Sequence, residues 1–282
     1  MAMKVGCFAL LDPFSTLEKQ LERIKGLGFK YADITDNSDG ACLGVEYGFT
    51  ALASLDANPF DLKRLFDKYG LVISTYCAHA NLLDPSAPWR YQTSQLMKAV
   101  RAAATIGVKH IISTEGEPKT EYGHKLTESE ALFLIRDRLF EPLRMAEDLG
   151  VKILIEPHGK YSDSIGFMEK LFDACASRAL AFNMDTGNSW LGGTDPVEMV
   201  KKLGKKIEHV HWKDWAPEMK DVRGKQFGAG MSITALGTGV VDIKGVYQEL
   251  ARIGYNGYTT LEIAGDEAVK KSYAYLKSLG AE

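Results

Sequence analysis

The sequence predicts an α/β fold, a single (β/α)8 TIM barrel occupying residues 1–282 as one domain. Three observations lead there. A chain of 282 residues has the usual length of one such barrel and is long for two small domains. Short apolar runs alternate with amphipathic helical segments from end to end, without a linker or a break in composition. The last four apolar runs each stop on side chains able to hold a metal ion: Ile153-Leu154-Ile155-Glu156, Phe182-Asn183-Met184-Asp185, Glu208-His209-Val210-His211 and Thr259-Thr260-Leu261-Glu262. A βα unit takes about thirty residues, so these runs are spaced by one or two units.

The elements follow in order. Lys4 to Ala9 forms the first strand, and Thr16 to Leu27 a helix with Leu17, Leu21, Ile24 and Leu27 on one face. Ser15 and Glu18 have the spacing of a capping box, and Gly28 ends the helix. Tyr31 to Thr35 is the second strand, followed by a polar, Gly-containing loop and a helix from Pro59 to Tyr69. Leu71 to Cys77, ending near His79, is the third strand, and Tyr91 to Ile106 a helix closed by Gly107. Lys109 to Thr114 is the fourth strand, running out at Glu115-Gly116. The long segment from Glu128 to Leu149 is helical, with Pro142 expected to kink or divide it. Val151 to Glu156, Ala179 to Asp185, Ile207 to Trp212 and Tyr258 to Glu262 are the last four strands. Helices 164–175, Pro196–Leu203, Asp242–Ile253 and Asp266–Leu279 follow or precede them, and 213–241 reads as a long polar loop folded over the barrel mouth. An open doubly wound sheet is disfavoured, because Gly6-Cys7-Phe8-Ala9 is not a dinucleotide fingerprint.

Composition narrows the function. The chain is 45% hydrophobic and 25% charged, with a net charge of −3, which gives no electrostatic reason to expect a nucleic-acid partner. No run approaches the roughly eighteen apolar residues of a membrane span. Cys7, Cys42, Cys77 and Cys175 show no metal or redox spacing and read as reduced thiols of a cytoplasmic protein.

Parallel strands of a closed barrel point their C-terminal ends at one mouth, which brings Glu156, Asp185, His211 and Glu262 together. Three carboxylates so placed repel one another, and a divalent cation is the simplest neutralising partner. Oxygen-rich ligation with one imidazole suits Mn2+, Mg2+ or Co2+ better than a structural zinc. His158 lies two residues past Glu156, and period two places it on the same side if the chain stays extended. His209 shares parity with His211 and is expected one layer deeper, as packing. His79 and Glu115 end strands at the same mouth and are candidates for substrate binding. Arg223 and Trp215, in the 213–241 segment, are candidates for shaping specificity. Trp89, Trp190 and Trp212 could also stack on a sugar face, although core packing is the default for each.

These motifs resemble the xylose-isomerase-like barrel superfamily, in its sugar isomerase/epimerase branch of ketose 3-epimerases, hydroxypyruvate isomerases and inosose dehydratases. The resemblance rests on Ile155-Glu156-Pro157-His158, Met184-Asp185-Thr186-Gly187-Asn188, His209-Val210-His211-Trp212-Lys213-Asp214 and Gly237-Thr238-Gly239-Val240-Val241-Asp242, and covers essentially the whole chain. It implies that Glu156, Asp185, His211 and Glu262 bind one divalent metal ion, and that Glu156 and Glu262 also move protons. It further implies a small-molecule sugar substrate and association as a homodimer or homotetramer. Asn188 is a departure: epimerases of the group commonly carry histidine at this spacing, and an amide can bind a substrate hydroxyl, as expected of Asn188 here, but cannot transfer protons usefully near neutrality.

The reading that results is a metal-dependent sugar isomerase or epimerase, with Glu156, Glu262 and His158 catalytic, abstracting an α-proton through an enediolate. The alternative is a lyase or dehydratase that expels a β-leaving group from a keto-sugar, keto-inositol or 3-keto-glycoside. An abasic-site endonuclease of the same superfamily is disfavoured by six histidines in all and by net negative charge. A sugar-binding barrel without catalysis is the remaining reading.

Overall fold

Eight parallel strands close on themselves, and the residues that seal the ring come from opposite ends of the chain. In a computed structural model, residues 2–12, 14–36, 52–83, 90–116, 125–228 and 232–282 are described. The strands are β1 (Lys4–Phe8), β2 (Tyr31–Asp36), β3 (Leu52–Ala53), β4 (Val72–Cys77), β5 (His110–Ser113), β6 (Lys152–Ile155), β7 (Leu180–Asp185), β8 (Ile207–Trp212), β9 (Asp214–Trp215), β10 (Ile233–Thr234) and β11 (Tyr258–Leu261). Their order around the sheet is β1-β11-β8-β7-β6-β5-β4-β2, and β1 pairs again with β2 to complete the barrel. The two-residue β3 adds to the outer edge of β2.

Helices lie between the strands: α1 (Leu17–Gly26), α2 (Pro59–Tyr69), α3 (Tyr91–Ile106), α4 (Glu128–Leu149), α5 (Ile165–Cys175), α6 (Thr186–Leu191), α7 (Pro196–Leu203), α8 (Ile243–Arg252) and α9 (Asp266–Leu279). The strand alternation fixes two cores. One set of side chains packs outward against the helices, as Ile153, Ile155, Phe182 and Met184 do. The opposite set points inward, where Phe8, Cys77, Ile112, Leu154 and Ala181 form a separate apolar plug. The polar inward residues lie above and beside that plug, and the Phe8 ring is 5.5 Å from the His211 ring. Gly6 has to be glycine at this inner layer, since a Cβ would come within 2.7 Å of the Tyr31 carbonyl.

Several local expectations are corrected. Thr16, not Ser15, caps α1: its side chain accepts from the Lys19 N–H, while the Ser15 hydroxyl donates to Asp12 at 2.5 Å. The full capping box belongs to α4, where Thr127 and Glu130 exchange hydrogen bonds, a device worth about 1 kcal/mol. Pro142 does not divide α4. The Arg138 carbonyl, which Pro142 has no N–H to serve, accepts from the Thr93 hydroxyl of α3 at 3.0 Å. The 213–241 segment is more ordered than a plain loop. β9 and β10 pair antiparallel within it, and a 3-10 helix spans Pro217–Val222.

Cys7 and Cys77 are buried and Cys175 is half-buried, all as free thiols; Cys42 and Trp89 lie outside the described residues. Among the described residues, no helix is long and apolar enough to cross a membrane.

Candidate metal and active site

The four side chains expected from the sequence to bind a metal meet at the C-terminal mouth. One ligand atom from each of Glu156, Asp185, His211 and Glu262 lies within 4.8 Å of every other. Glu156 follows β6 and Glu262 follows β11, while Asp185 and His211 face each other in register across β7 and β8. Glu156, Asp185 and His211 are buried, and only Glu262 keeps appreciable exposure.

Each ligand is oriented by a second residue. The His211 Nδ1 is 3.2 Å from Oε1 of Glu156 and 3.2 Å from Oε2 of Glu262, so it is the nitrogen that faces the cluster. Its Nε2 is 3.0 Å from Oδ2 of Asp33. Asp33 also accepts from Thr260 Oγ1 at 2.5 Å and from the Ser74 hydroxyl. Burial pushes the Asp33 carboxyl up, but the hydrogen bond and charge of His211, with the Ser74 hydroxyl, outweigh it and hold the group at about 2. Burial acts to lower His211, but Glu156 and Asp33 raise it well above its ordinary value, so without metal both ring nitrogens carry protons. Ionised Asp33 would keep the one on Nε2 while Nδ1 gave its proton up to a bound ion, the arrangement that orients metal-binding histidines. Asn183 adds to this layer, its Nδ2 3.0 Å from His211 Nδ1 and its Oδ1 2.9 Å from His209 Nδ1. His209 is fully buried one layer down, as its parity predicts, and burial lowers it to about 3, so it is neutral. Asp33, His209 and His211 also bring potential ligand atoms within 4.8 Å, but Asp33 is already occupied by hydroxyl and imidazole donors.

Lys213 completes the cluster. Its ammonium is 3.0 Å from Asp185 Oδ2, 3.0 Å from Glu262 Oε1 and 3.0 Å from Asn188 Oδ1. The backbone of Lys213 is clamped at both polar atoms by Thr186 Oγ1, at 2.9 and 2.7 Å. Gly187 leaves room for the side chain, because a Cβ there would come within 2.6 Å of Lys213 Cγ. Asn188 bridges the two halves, its Nδ2 reaching Glu156 Oε1 at 3.4 Å. Asp185 caps the short α6 by accepting from the Asn188 N–H at 2.7 Å.

The charges fit a divalent cation. Burial pushes Glu156 upward, but His211 and His79 hold it well below the carboxylate range. Burial likewise acts on Glu262, and Lys213 and His211 hold it at about 2. Asp185 goes the other way: burial and the like charges of Glu262 and Glu156 raise it well above normal, against the pull of Lys213. Lys213 remains cationic, its acidic neighbours outweighing desolvation. One ammonium and one imidazolium are thus too little positive charge to ionise all three carboxylates. Glu156 Oε2, Asp185 Oδ2 and Glu262 Oε2 are also buried without a well-directed hydrogen bond, having only ionic neighbours. Acid oxygens left in that condition, with one imidazole nitrogen aimed among them, are a donor set suited to a hard or borderline metal ion.

The remaining candidates divide. His79 joins the cluster, with Nε2 3.5 Å from Glu156 Oε2, and the His158 ring lies 6.0 Å from the His79 ring. Glu115 turns away: Oε1 accepts from the Tyr161 N–H at 3.1 Å and Oε2 from the Ser162 N–H. Burial pushes Glu115 up to about 7, against those N–H groups. Arg223 is not brought to the mouth. Its guanidinium binds the carbonyls of Trp190 and Gly193 at 3.0 and 3.2 Å and covers the Trp190 ring. Trp215 is fully buried, donating from Nε1 to the Gly187 carbonyl at 2.6 Å, and has no open face for a sugar. Trp212 is fully buried as well, and Trp190 nearly so.

The sequence reading passed over Asp33 and gave Lys213 no role in the cluster. The signal was available for both. Lys213 lies two residues beyond His211, the same interval that separates His158 from Glu156, and Asp33 is an acid flanked by Ala32 and Ile34 in the middle of a strand. The glycines of 237–242 serve the neighbouring Asp214, whose carboxylate accepts from the N–H groups of Gly237, Gly239 and Val241, each at 3.0 Å.

Comparison with known proteins agrees with this architecture. The family model described as a xylose isomerase-like TIM barrel matches residues 21–279. An inosose dehydratase of Geobacillus kaustophilus (strain HTA426) is 26% identical over 276 residues, covering 90% of this chain and 87% of that one. A D-tagatose 3-epimerase-like protein superposes with a TM-score of 0.78 at 21% identity, covering 98% of this chain and 97% of its own. The IOLI protein with a bound zinc atom superposes with a TM-score of 0.76 at 17% identity, covering 98% of each. These two likenesses speak for the fold. From the closed eight-stranded barrel and a family match running over nearly its whole length, this chain belongs to the xylose isomerase-like TIM barrel family.

Proposed function

We propose that this protein is a divalent-metal-dependent dehydratase. Its substrate would be a polyhydroxylated ketone, a keto-inositol or keto-sugar, from which it removes the proton beside the carbonyl and then a β-hydroxyl as water. Glu156, Asp185, His211 and Glu262 would hold the ion. Bound there, it would polarise the ketone oxygen and a neighbouring hydroxyl and so acidify the C–H beside them. The oxygen-rich set favours Mn2+, Mg2+ or Co2+.

The observation that carries this reading is how tightly both glutamates are committed. Glu156 is held by His211, His79 and Asn188, and Glu262 by Lys213 and His211. Each carboxylate is thus engaged by imidazole, ammonium or amide groups, contacts that taking up a proton would weaken. Epimerisation by two opposed carboxylates would need both as working bases. Elimination needs one group that takes the α-proton and passes it to the leaving hydroxyl, with a cation beside that oxygen. Histidine is the side chain that exchanges protons near neutrality, and the His158 ring lies 6.0 Å from that of His79, which in turn contacts Glu156. In this scheme His158 takes the α-proton, and the electron pair of that C–H bond becomes the new C=C bond. The β-C–O bond breaks, and the hydroxyl leaves as water with the proton His158 has taken, while the Lys213 ammonium stabilises charge on the departing oxygen. Asn188 would bind a substrate hydroxyl, and His79 would orient Glu156. The inosose dehydratase relative supports a keto-inositol as the first substrate to try.

A second reading is epimerisation of a ketose, favoured by the convergence of two glutamates from β6 and β11 on the one cluster. Metal-loaded protein incubated with a keto-inositol and a panel of ketoses in deuterated water distinguishes the two. Loss of water with a new conjugated carbonyl chromophore is the expected result. Solvent deuterium at one carbon with the rest of the mass retained would overturn the dehydratase reading in favour of an epimerase.

A further inference from the structure

We propose that Glu115 is a positioning residue that sets where His158 stands, although the two side chains belong to different loops. The inference rests on the reading of His158 as the base. Glu115 is 1% exposed and follows β5. Its two carboxylate oxygens accept one backbone N–H each from the turn after β6: Tyr161 at 3.1 Å on Oε1, and Ser162 on Oε2. Ser162 carries the constraint back along the chain. Its hydroxyl oxygen accepts from the His158 N–H at 3.0 Å and from the Gly159 N–H at 3.3 Å. The turn closes on itself where the Asp163 N–H donates to the Gly159 carbonyl at 3.0 Å. Glu115 therefore holds two N–H groups of a five-residue turn whose first residue is His158.

Two glycines show that the space is built for this arrangement. At Gly159 a Cβ would collide with Oε1 of Glu115, so only glycine lets the carboxylate reach the turn. At Gly228 a Cβ would come within 2.9 Å of His158 Nδ1, so the 213–241 segment closes against the same ring. Tyr161 anchors the far side, donating its hydroxyl to the Leu126 carbonyl at 2.7 Å and packing its ring 5.1 Å from Phe167. The turn is fixed on three sides, and the carboxyl contact comes from Glu115. A base misplaced by an ångström loses about 100-fold in rate, so such a brace acts on turnover more than on binding.

The test compares Glu115→Gln, Gly159→Ala and His158→Ala, singly and with Glu115→Gln and His158→Ala combined, in the metal-loaded protein with a keto-inositol. Glu115→Gln keeps the shape but replaces one acceptor by a donor. It is expected to lower kcat by about 10- to 100-fold with KM little changed. Metal affinity by calorimetry is expected to stay the same, and hydrogen exchange at the Tyr161 and Ser162 amides to speed up by about tenfold or more. Added to His158→Ala, it should change turnover by less than about twofold, because the brace then has no base to place. Gly159→Ala, which displaces the carboxylate without removing it, should reproduce the kcat and exchange effects. Unchanged amide exchange, wild-type kcat in Glu115→Gln with a dead His158→Ala, or full additivity of the two substitutions would each overturn the proposal. Wild-type turnover in His158→Ala would instead overturn the reading of His158 as the base.

Discussion

The Lys213 ammonium lies 3.0 Å from the Asn188 side-chain oxygen, and both residues are buried at the barrel mouth. The same ammonium faces Asp185 and Glu262, so it competes with any divalent ion for their oxygens. Lys213→Met is therefore expected to lower turnover by about 100-fold or more, through loss of a charged donor. It should also tighten Mn2+ binding by roughly 3- to 10-fold, through loss of a competing charge. Titration calorimetry on the metal-free variant checks the second point, and weaker binding would show that the lysine helps to hold the ion.

Asn188→Ala removes the bridge between Lys213 and Glu156 while leaving the four ligands in place. The expected outcome is a KM raised by about tenfold with kcat reduced less, since a hydrogen bond to a charged group contributes about 1.5–3 kcal/mol. A variant as inactive as Glu262→Gln would mean that Asn188 does more than bind and orient.

Asp33→Asn tests the layer beneath the ligands. Asp33 accepts from His211 Nε2 and so selects the nitrogen left to bind metal. Metal affinity is expected to fall by about 10- to 100-fold, the usual cost of losing such a partner. Retention of wild-type affinity would show that Asn183 alone orients the imidazole.

Chelation makes a stability prediction. The three carboxylates with buried, poorly satisfied oxygens gain a partner when an ion binds. At a free-ion concentration of about 100 times Kd, the gain is about 2.7 kcal/mol, which raises Tm by several degrees. Calorimetric scans with EDTA and with Mn2+ should differ by that amount, and the difference should vanish in a Glu156→Gln/Glu262→Gln double variant.

Acid sensitivity outside the site follows from Glu208. A hydrogen bond from His110, reinforced by the Lys152 ion pair, outweighs partial burial and holds its carboxyl down to about 2, against an ordinary value of 4.5. The folded value lies below the unfolded one, so the contribution is fully present above about pH 4.5 and is lost as pH falls toward 2. The residues involved are about one third exposed, and solvent screening keeps the contribution to about 1 kcal/mol or less. The stability difference between wild type and Glu208→Gln, measured by urea unfolding at several pH values, should close over that interval. A difference that persists at pH 2 would point to packing.

Residue pattern alone was enough to read the barrel, its eight principal strands and the four side chains that converge at its mouth. Periodicity carries that information. Alternation along a strand decides which residues face inward, and a parallel barrel brings all its strand ends to one side, so Glu156, Asp185, His211 and Glu262 were legible without coordinates. His209 followed from the same parity. What only the tertiary structure decided is where long side chains go once they leave the backbone. Lys213 turns inward because Gly187 leaves it space and Thr186 clamps its backbone, whereas Arg223 turns outward to the carbonyls of Trp190 and Gly193. Glu115 ends at the mouth as expected, yet spends both oxygens on a turn some 46 residues later in the chain. Trp215 disappears beneath Gly187. Each of these outcomes depends on a partner far away in sequence or on a missing Cβ, and local pattern holds no record of either.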